Sequence, residues 1–279
     1  MLRSSNPILS KRDAFTPAAP QYGQQFGQQP YQSYPGQGGG FGAPQDPRAN
    51  APHTVQGRMT LDDVITKTAV TIAVLVVTAA LAWNFVPDSL YFPAMILSAL
   101  VGFGVVLLVS FRRSISPTLV VLYAAIEGVF IGMISKVFES VYSGIVAQAV
   151  VATFVAAGVT LAAYKFFNIR VTAKFTKVVF ISTAAFAGLM LINFIFSLVT
   201  GSGGLRSGIT GPVSGLSLLV SAVAVVLAVL NLVLDFDYVE RGIAIGAPAD
   251  ESWRAAFGLT VTMVWLYIEL LRLTSYIRR

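Results

Sequence analysis

Seven apolar runs, each long enough to cross a hydrocarbon layer, restrict this chain to a narrow set of folds. They fall at 64–86, 91–111, 117–138, 144–166, 176–200, 213–234 and 253–276. A bilayer core of about 30 Å asks for roughly 20 apolar residues per helix. Hydrocarbon offers the backbone no hydrogen-bonding partner, so an apolar run of that length crosses as a helix that satisfies its own amides. Composition agrees, with 55% hydrophobic residues, 11% charged residues and a mean hydropathy of +0.72, values that exclude an ordinary soluble domain. The expected fold class is therefore all-α: a polytopic membrane protein with seven transmembrane helices.

The breaks between runs carry turn chemistry: Pro87-Asp88-Ser89, Arg112-Arg113-Ser114, the 168–174 segment, Gly201-Ser202-Gly203-Gly204 and Gly246-Ala247-Pro248. Thr60, followed by Asp62 and Asp63, reads as the N-cap of the first helix. Residues 58–279 form the transmembrane domain. Residues 1–57 hold eight of the thirteen prolines and repeat Gln, Gly and Tyr. Such a segment buries too little apolar surface to offset its chain entropy and reads as a disordered tail.

The net charge of +6 does not point to nucleic acid, because Lys and Arg sit in short clusters between apolar runs rather than in a basic stripe. Their distribution sets an orientation instead. With the tail in the cytoplasm, the inner connections hold Arg112, Arg113, Lys165, Arg170, Lys174, Lys177, Arg241 and Arg254, whereas the outer ones hold Lys136 and Arg206. That bias places the N-terminus inside, in a multi-pass protein of the cytoplasmic membrane, and the last helix is read as crossing outward. The chain has no cysteine, and its single histidine, His53, lies in the tail. No span therefore supplies a His base or a Cys or His metal ligand, so neither an enzyme nor a cofactor or bound metal is expected.

The spans do contain acids, which are costly in hydrocarbon and point inward. In the sixth run Ser217, Ser221, Ala224, Ala228, Asn231 and Asp235 follow at helical spacing, a small and polar stripe that suits close packing on a neighbour. Asp235 closes the stripe at the inner membrane edge, and Asp237 and Glu240 follow in the connecting loop. Glu127 lies near the midplane of the third helix, beside the G-x-x-x-G pair Gly128 and Gly132. In the seventh helix Gly258, Thr262, Trp265, Glu269 and Arg272 share a face, with Glu269 in the outer half and Arg272 placed to pair with it one turn on. Asp235, Glu127 and Glu269 thus read as a ladder of gate and interior acids spread through the membrane's depth.

These residues resemble the Bax inhibitor-1 family, the transmembrane Bax inhibitor motif proteins, and most of all actinobacterial members. The resemblance covers 58–279. It is carried by Glu127-Gly128-Val129-Phe130-Ile131-Gly132, by Leu234-Asp235-Phe236-Asp237-Tyr238-Val239-Glu240, by Trp253, and by Leu270-Leu271-Arg272-Leu273. It implies a last helix central in a ring of six. It also implies a pH-sensitive leak of Ca2+ as permeant ion, gated by an aspartate at the end of helix six bonded to another in helix seven. Asp235 matches the first, and Thr262 stands where the second would be. Some bacterial relatives instead restrain a membrane-bound AAA protease, which implies an interaction protein as the alternative, with a membrane protease or another membrane protein as partner beside the lipid bilayer.

Overall fold

The computed structural model describes residues 57–112, 115–201, 204–206 and 212–278. The tail reading for residues 1–57 falls almost wholly outside the described residues. The order is α1 (Leu61–Phe85), a single 3-10 turn (Asp88–Leu90), α2 (Tyr91–Phe111), α3 (Pro117–Val141), α4 (Ile145–Phe166), α5 (Ala173–Thr200), α6 (Gly215–Ala244) and α7 (Glu251–Ile277). All seven helices are long and apolar enough to cross a membrane. The protein is an all-α, multi-pass membrane protein, as the hydropathy pattern requires.

Local chemistry sets the helix starts. The Thr60 hydroxyl accepts from the Asp63 amide at 3.2 Å, with Asp62 and Asp63 in the first turn, so the expected cap is present. Thr172 and Ser214 cap α5 and α6 in the same way, and Pro117 opens α3 with its fixed φ. Hydropathy, however, places the end of α6 too early. The helix runs on from Leu234 to Ala244, because Asp235-Phe236-Asp237 ends the apolar run without breaking the helix, and Arg241 pairs with Asp237 one turn away. The helix stops where Gly246 takes a positive φ of 66°. Asp237 and Glu240 are therefore helical residues, not loop residues.

The enclosed element is α7, which packs against α1, α3, α4 and α6, while α2 lies on α3 and α5 lies on α6. Side chains extend its reach: Phe257 meets Tyr123 of α3 edge-on with ring centroids 5.0 Å apart, and Trp265 meets Phe186 of α5 at 6.0 Å. Outer faces are apolar and exposed, as in Phe154, Phe180 and Ile192, which is the reverse of a soluble protein and fits contact with lipid. At one end, residues 57–59 lie against the α6–α7 turn: the Met59 amide donates to the Ala247 carbonyl at 2.8 Å and the Ala249 amide to the Gly57 carbonyl at 2.7 Å. Arg254 reaches the Arg112 carbonyl at 3.5 Å on the same side, and Arg278 reaches the Ser143 carbonyl at the other, so α7 crosses the bundle.

The closest helix contact is between α1 and α3. A methyl group on Gly128 would strike Thr78 and the Leu75 carbonyl, and one on Gly132 would strike the Ala79 backbone. The G-x-x-x-G pair thus brings two backbones together, and its partner is α1. Gly104 of α2 has open space around it. We expect Gly128→Ala and Gly132→Ala each to destabilise the bundle by about 1–3 kcal/mol through forced separation of α1 and α3. Gly104→Ala should not, since it only removes a poor helix former. Thermal unfolding in one detergent checks this, and equal melting temperatures for all three variants would contradict it.

Candidate functional site

Because α6 continues past the end of the apolar run, Asp235 sits inside the bundle and not at its edge. It lies about 14 Å from the C-terminal end of α6, and Thr262 lies about 17 Å from the N-terminal end of α7, at 1.5 Å per residue. The two side chains meet there. The Thr262 hydroxyl donates to Oδ2 of Asp235 at 2.6 Å, and Oδ1 packs on Gly258, one turn earlier in α7, where an added Cβ would come within 3.3 Å. The α6 stripe leads into this contact: Ser217, Ser221, Ala224 and Ala228 are fully enclosed, and their small size lets α6 and α7 approach. Asn231 faces elsewhere, donating to Thr183 of α5 at 2.7 Å and to the Leu227 carbonyl at 2.8 Å.

A threonine hydroxyl both donates and accepts, whereas an ionised carboxylate only accepts. The Asp235–Thr262 bond can therefore form with the acid charged, Thr262 donating, or neutral, Asp235 donating. Two facing carboxyls behave differently, because they need a shared proton to bond.

Glu127 lies about 15 Å into α3, close to the depth of Asp235 and not midway between Asp235 and Glu269. Its carboxylate rests against Gly102 of α2, where a Cβ would be 2.8 Å from Oε2, and it has no hydrogen bond among the described residues. Glu269 lies about 27 Å along α7 and is buried, with 2% of its surface exposed. It does not pair with Arg272. Arg206, from the α5–α6 connection, reaches in to bond it at 2.8 Å, and the same guanidinium lies 5.6 Å from the Phe186 ring. Arg272 makes no ion pair among the described residues, and its buried Nε has no partner. The helical i, i+3 rule sees only local partners, and here a residue of the α5–α6 connection takes the buried carboxylate instead, through one bond from Nη2 to Oε1.

Toward the α6–α7 turn three further acids have partners of their own. Asp237 pairs with Arg241, Glu240 accepts from Tyr164 of α4 at 2.5 Å, and Glu251 accepts from both Tyr238 and Arg254. Among the described residues no three His, Cys, Asp or Glu side chains gather in one place. The acids form separate contacts at different levels, with Asp235–Thr262 the one that joins two neighbouring helices in the interior.

A family model described as Bax inhibitor 1 like matches residues 6–279. The chain belongs to that family. Among curated proteins, none matches it. The family match begins well before residue 58, so it takes in most of the Gln- and Gly-rich stretch as well as the helical domain. In this Bax inhibitor-1-like protein the second acid implied by the resemblance is absent, and the structure puts Thr262 in contact with Asp235 at that place. Arg206 is the site residue that the sequence reading passed over, counted only as a loop charge. Its one legible signal was a lone cation in a Gly- and Ser-rich connection next to helices that contain a buried acid.

Removing Arg206 leaves Glu269 charged and buried without its partner, a loss of about 3–5 kcal/mol for pairs of this kind. We expect Arg206→Ala to lower the melting temperature sharply, Arg272→Ala to lower it little, and Glu269→Gln to restore part of the loss when combined with Arg206→Ala. Matching effects of the two arginine variants would contradict the assignment.

Proposed function

We propose that this protein is a pH-sensitive leak for Ca2+ or a similar cation, closed where Asp235 of α6 holds Thr262 and Gly258 of α7. The observation that carries this reading is a carboxylate in the bundle interior bonded across two helices by a single neutral donor. An intramembrane acid is costly, and it persists where it faces a polar path or a partner. A single hydrogen bond to a charged group is worth about 1.5–3 kcal/mol, small enough for this one contact between α6 and α7 to open locally at a modest population. Glu127, at nearly the same depth and without a hydrogen-bond partner among the described residues, supplies a second negative group for a cation that enters the interior. Glu269, neutralised by Arg206, contributes to closure on the far side.

Protonation enters through Asp235. A charged carboxylate both attracts the cation and accepts from Thr262, and a neutral one can only bond. Because threonine bonds either form, the natural contact should respond to pH less steeply than an acid pair would. Purified protein in liposomes loaded with a calcium-sensitive dye tests this. Wild type should pass Ca2+ above the level of empty liposomes with a rate that varies with pH. Asp235→Asn should remove that variation, and Thr262→Asp should steepen it, since two carboxyls compete for protons. No flux above empty liposomes, or wild-type pH dependence retained in Asp235→Asn, would overturn the reading.

A further inference from the structure

The face of α7 turned away from Asp235 lines a second feature. Thr260, Met263, Val264 and Tyr267, spaced as one helical face, form the floor of a cleft of about 440 Å³ whose walls come from α1, α3 and α4. That size falls within the range of small-molecule sites. Among the described residues the backbones of α1 and α4 stay apart, so the cleft has a side opening between them, with Val76 on one lip and Phe154 on the other, both more than half exposed. In a bilayer what faces this opening is lipid.

The lining chemistry narrows the occupant. Its hydroxyls are already satisfied inside the protein: Ser135 bonds Tyr267 at 2.7 Å, Thr153 bonds the Ala149 carbonyl at 2.7 Å, and Thr260 bonds the Ala256 carbonyl at 2.8 Å. Deep in the cleft those hydroxyls ask for no outside partner, which suits hydrocarbon and disfavours an ion or a polar solute. Length points the same way. On α1 the lining runs from Ile72 to Asn84, about 18 Å of helix, against about 15 Å for half a bilayer core. The polar end is at the membrane surface, where Trp83 and Asn84 line the mouth, and Lys136 caps the Trp83 carbonyl at 2.9 Å.

We propose that this cleft is a lipid-binding site that takes one acyl chain of a membrane phospholipid, with its headgroup at the level of Trp83 and Asn84 and its tail against Met263 and Tyr267 of α7. The site reaches the central helix from the side, on a face separate from the Asp235 contact, and it stands whether or not the protein conducts cations.

The test is photolabelling in proteoliposomes made with a phosphatidylcholine that carries a diazirine midway along one acyl chain, with labelled residues read by mass spectrometry. Met263 and Tyr267 should be labelled, together with the exposed Val155 of α4, which reports ordinary surrounding lipid. Val150→Trp, which fills the cleft from α4, and Ala80→Phe, which fills it from α1, should each lose the α7 labels while keeping the label at Val155. Val151→Trp, one position round on the exposed face, should keep both. Absence of label on Met263 and Tyr267 in the wild type, or labels on them that persist in both filling variants, would overturn the proposal.

Discussion

Hydrocarbon gives a polar side chain nothing to bond, and that constraint decides where each part of this molecule goes. The helix with the largest share of enclosed polar groups, α7, ends up surrounded, while α5, with little to hide, lies outermost against α6. The enclosed acids that do find partners are met from different directions: Asp235 by a hydroxyl of α7, Glu269 by an arginine from a loop, and Asp237 by Arg241 on its own helix. Soluble bundles form around apolar seams. This one forms around a polar helix whose partners are distributed among its neighbours.

The fold was largely legible in the sequence, and the reason is physical. A run of twenty apolar residues has one stable state in a bilayer, so the number of spans and most of their limits follow from hydropathy alone. The C-terminal end of α6 was not legible, because a membrane run ends at the first cluster of charges and a helix ends only at a breaker. Asp235, Asp237 and Arg241 stop the first without stopping the second, which moves Asp235 from the membrane edge into the interior. Small residues show the same division. The pair Gly128 and Gly132 announced a close approach, but nothing in its spacing named α1 as the partner.

Side-chain pairing was least legible. Helical periodicity gathers Gly258, Thr262, Trp265, Glu269 and Arg272 on one side of α7, and the structure does turn that side toward α5, α6 and the loop between them. It cannot tell which guanidinium reaches Glu269, because Arg206 is 63 positions away in the chain. The juxtaposition of Asp235 with Thr262 was reached through likeness to the Bax inhibitor-1 family and not through spacing. The opposite face of α7, with its apolar cleft, was not singled out in the sequence at all, since apolar residues in a membrane helix carry no mark of whether they meet a neighbour or a void.

The central claim is that separation of α6 from α7 at Asp235 opens the path. The chain has no cysteine, so a pair introduced as Asp235→Cys with Thr262→Cys can be bridged by mercuric ion without competing thiols. Calcium flux through liposomes holding this variant is the most direct measurement. With the thiols free, neither the acid nor its donor remains and flux should be high at every pH; with the bridge in place it should fall to the level of empty liposomes and return when the metal is removed. Flux that is unchanged by the bridge would show that ions do not pass where these two helices meet.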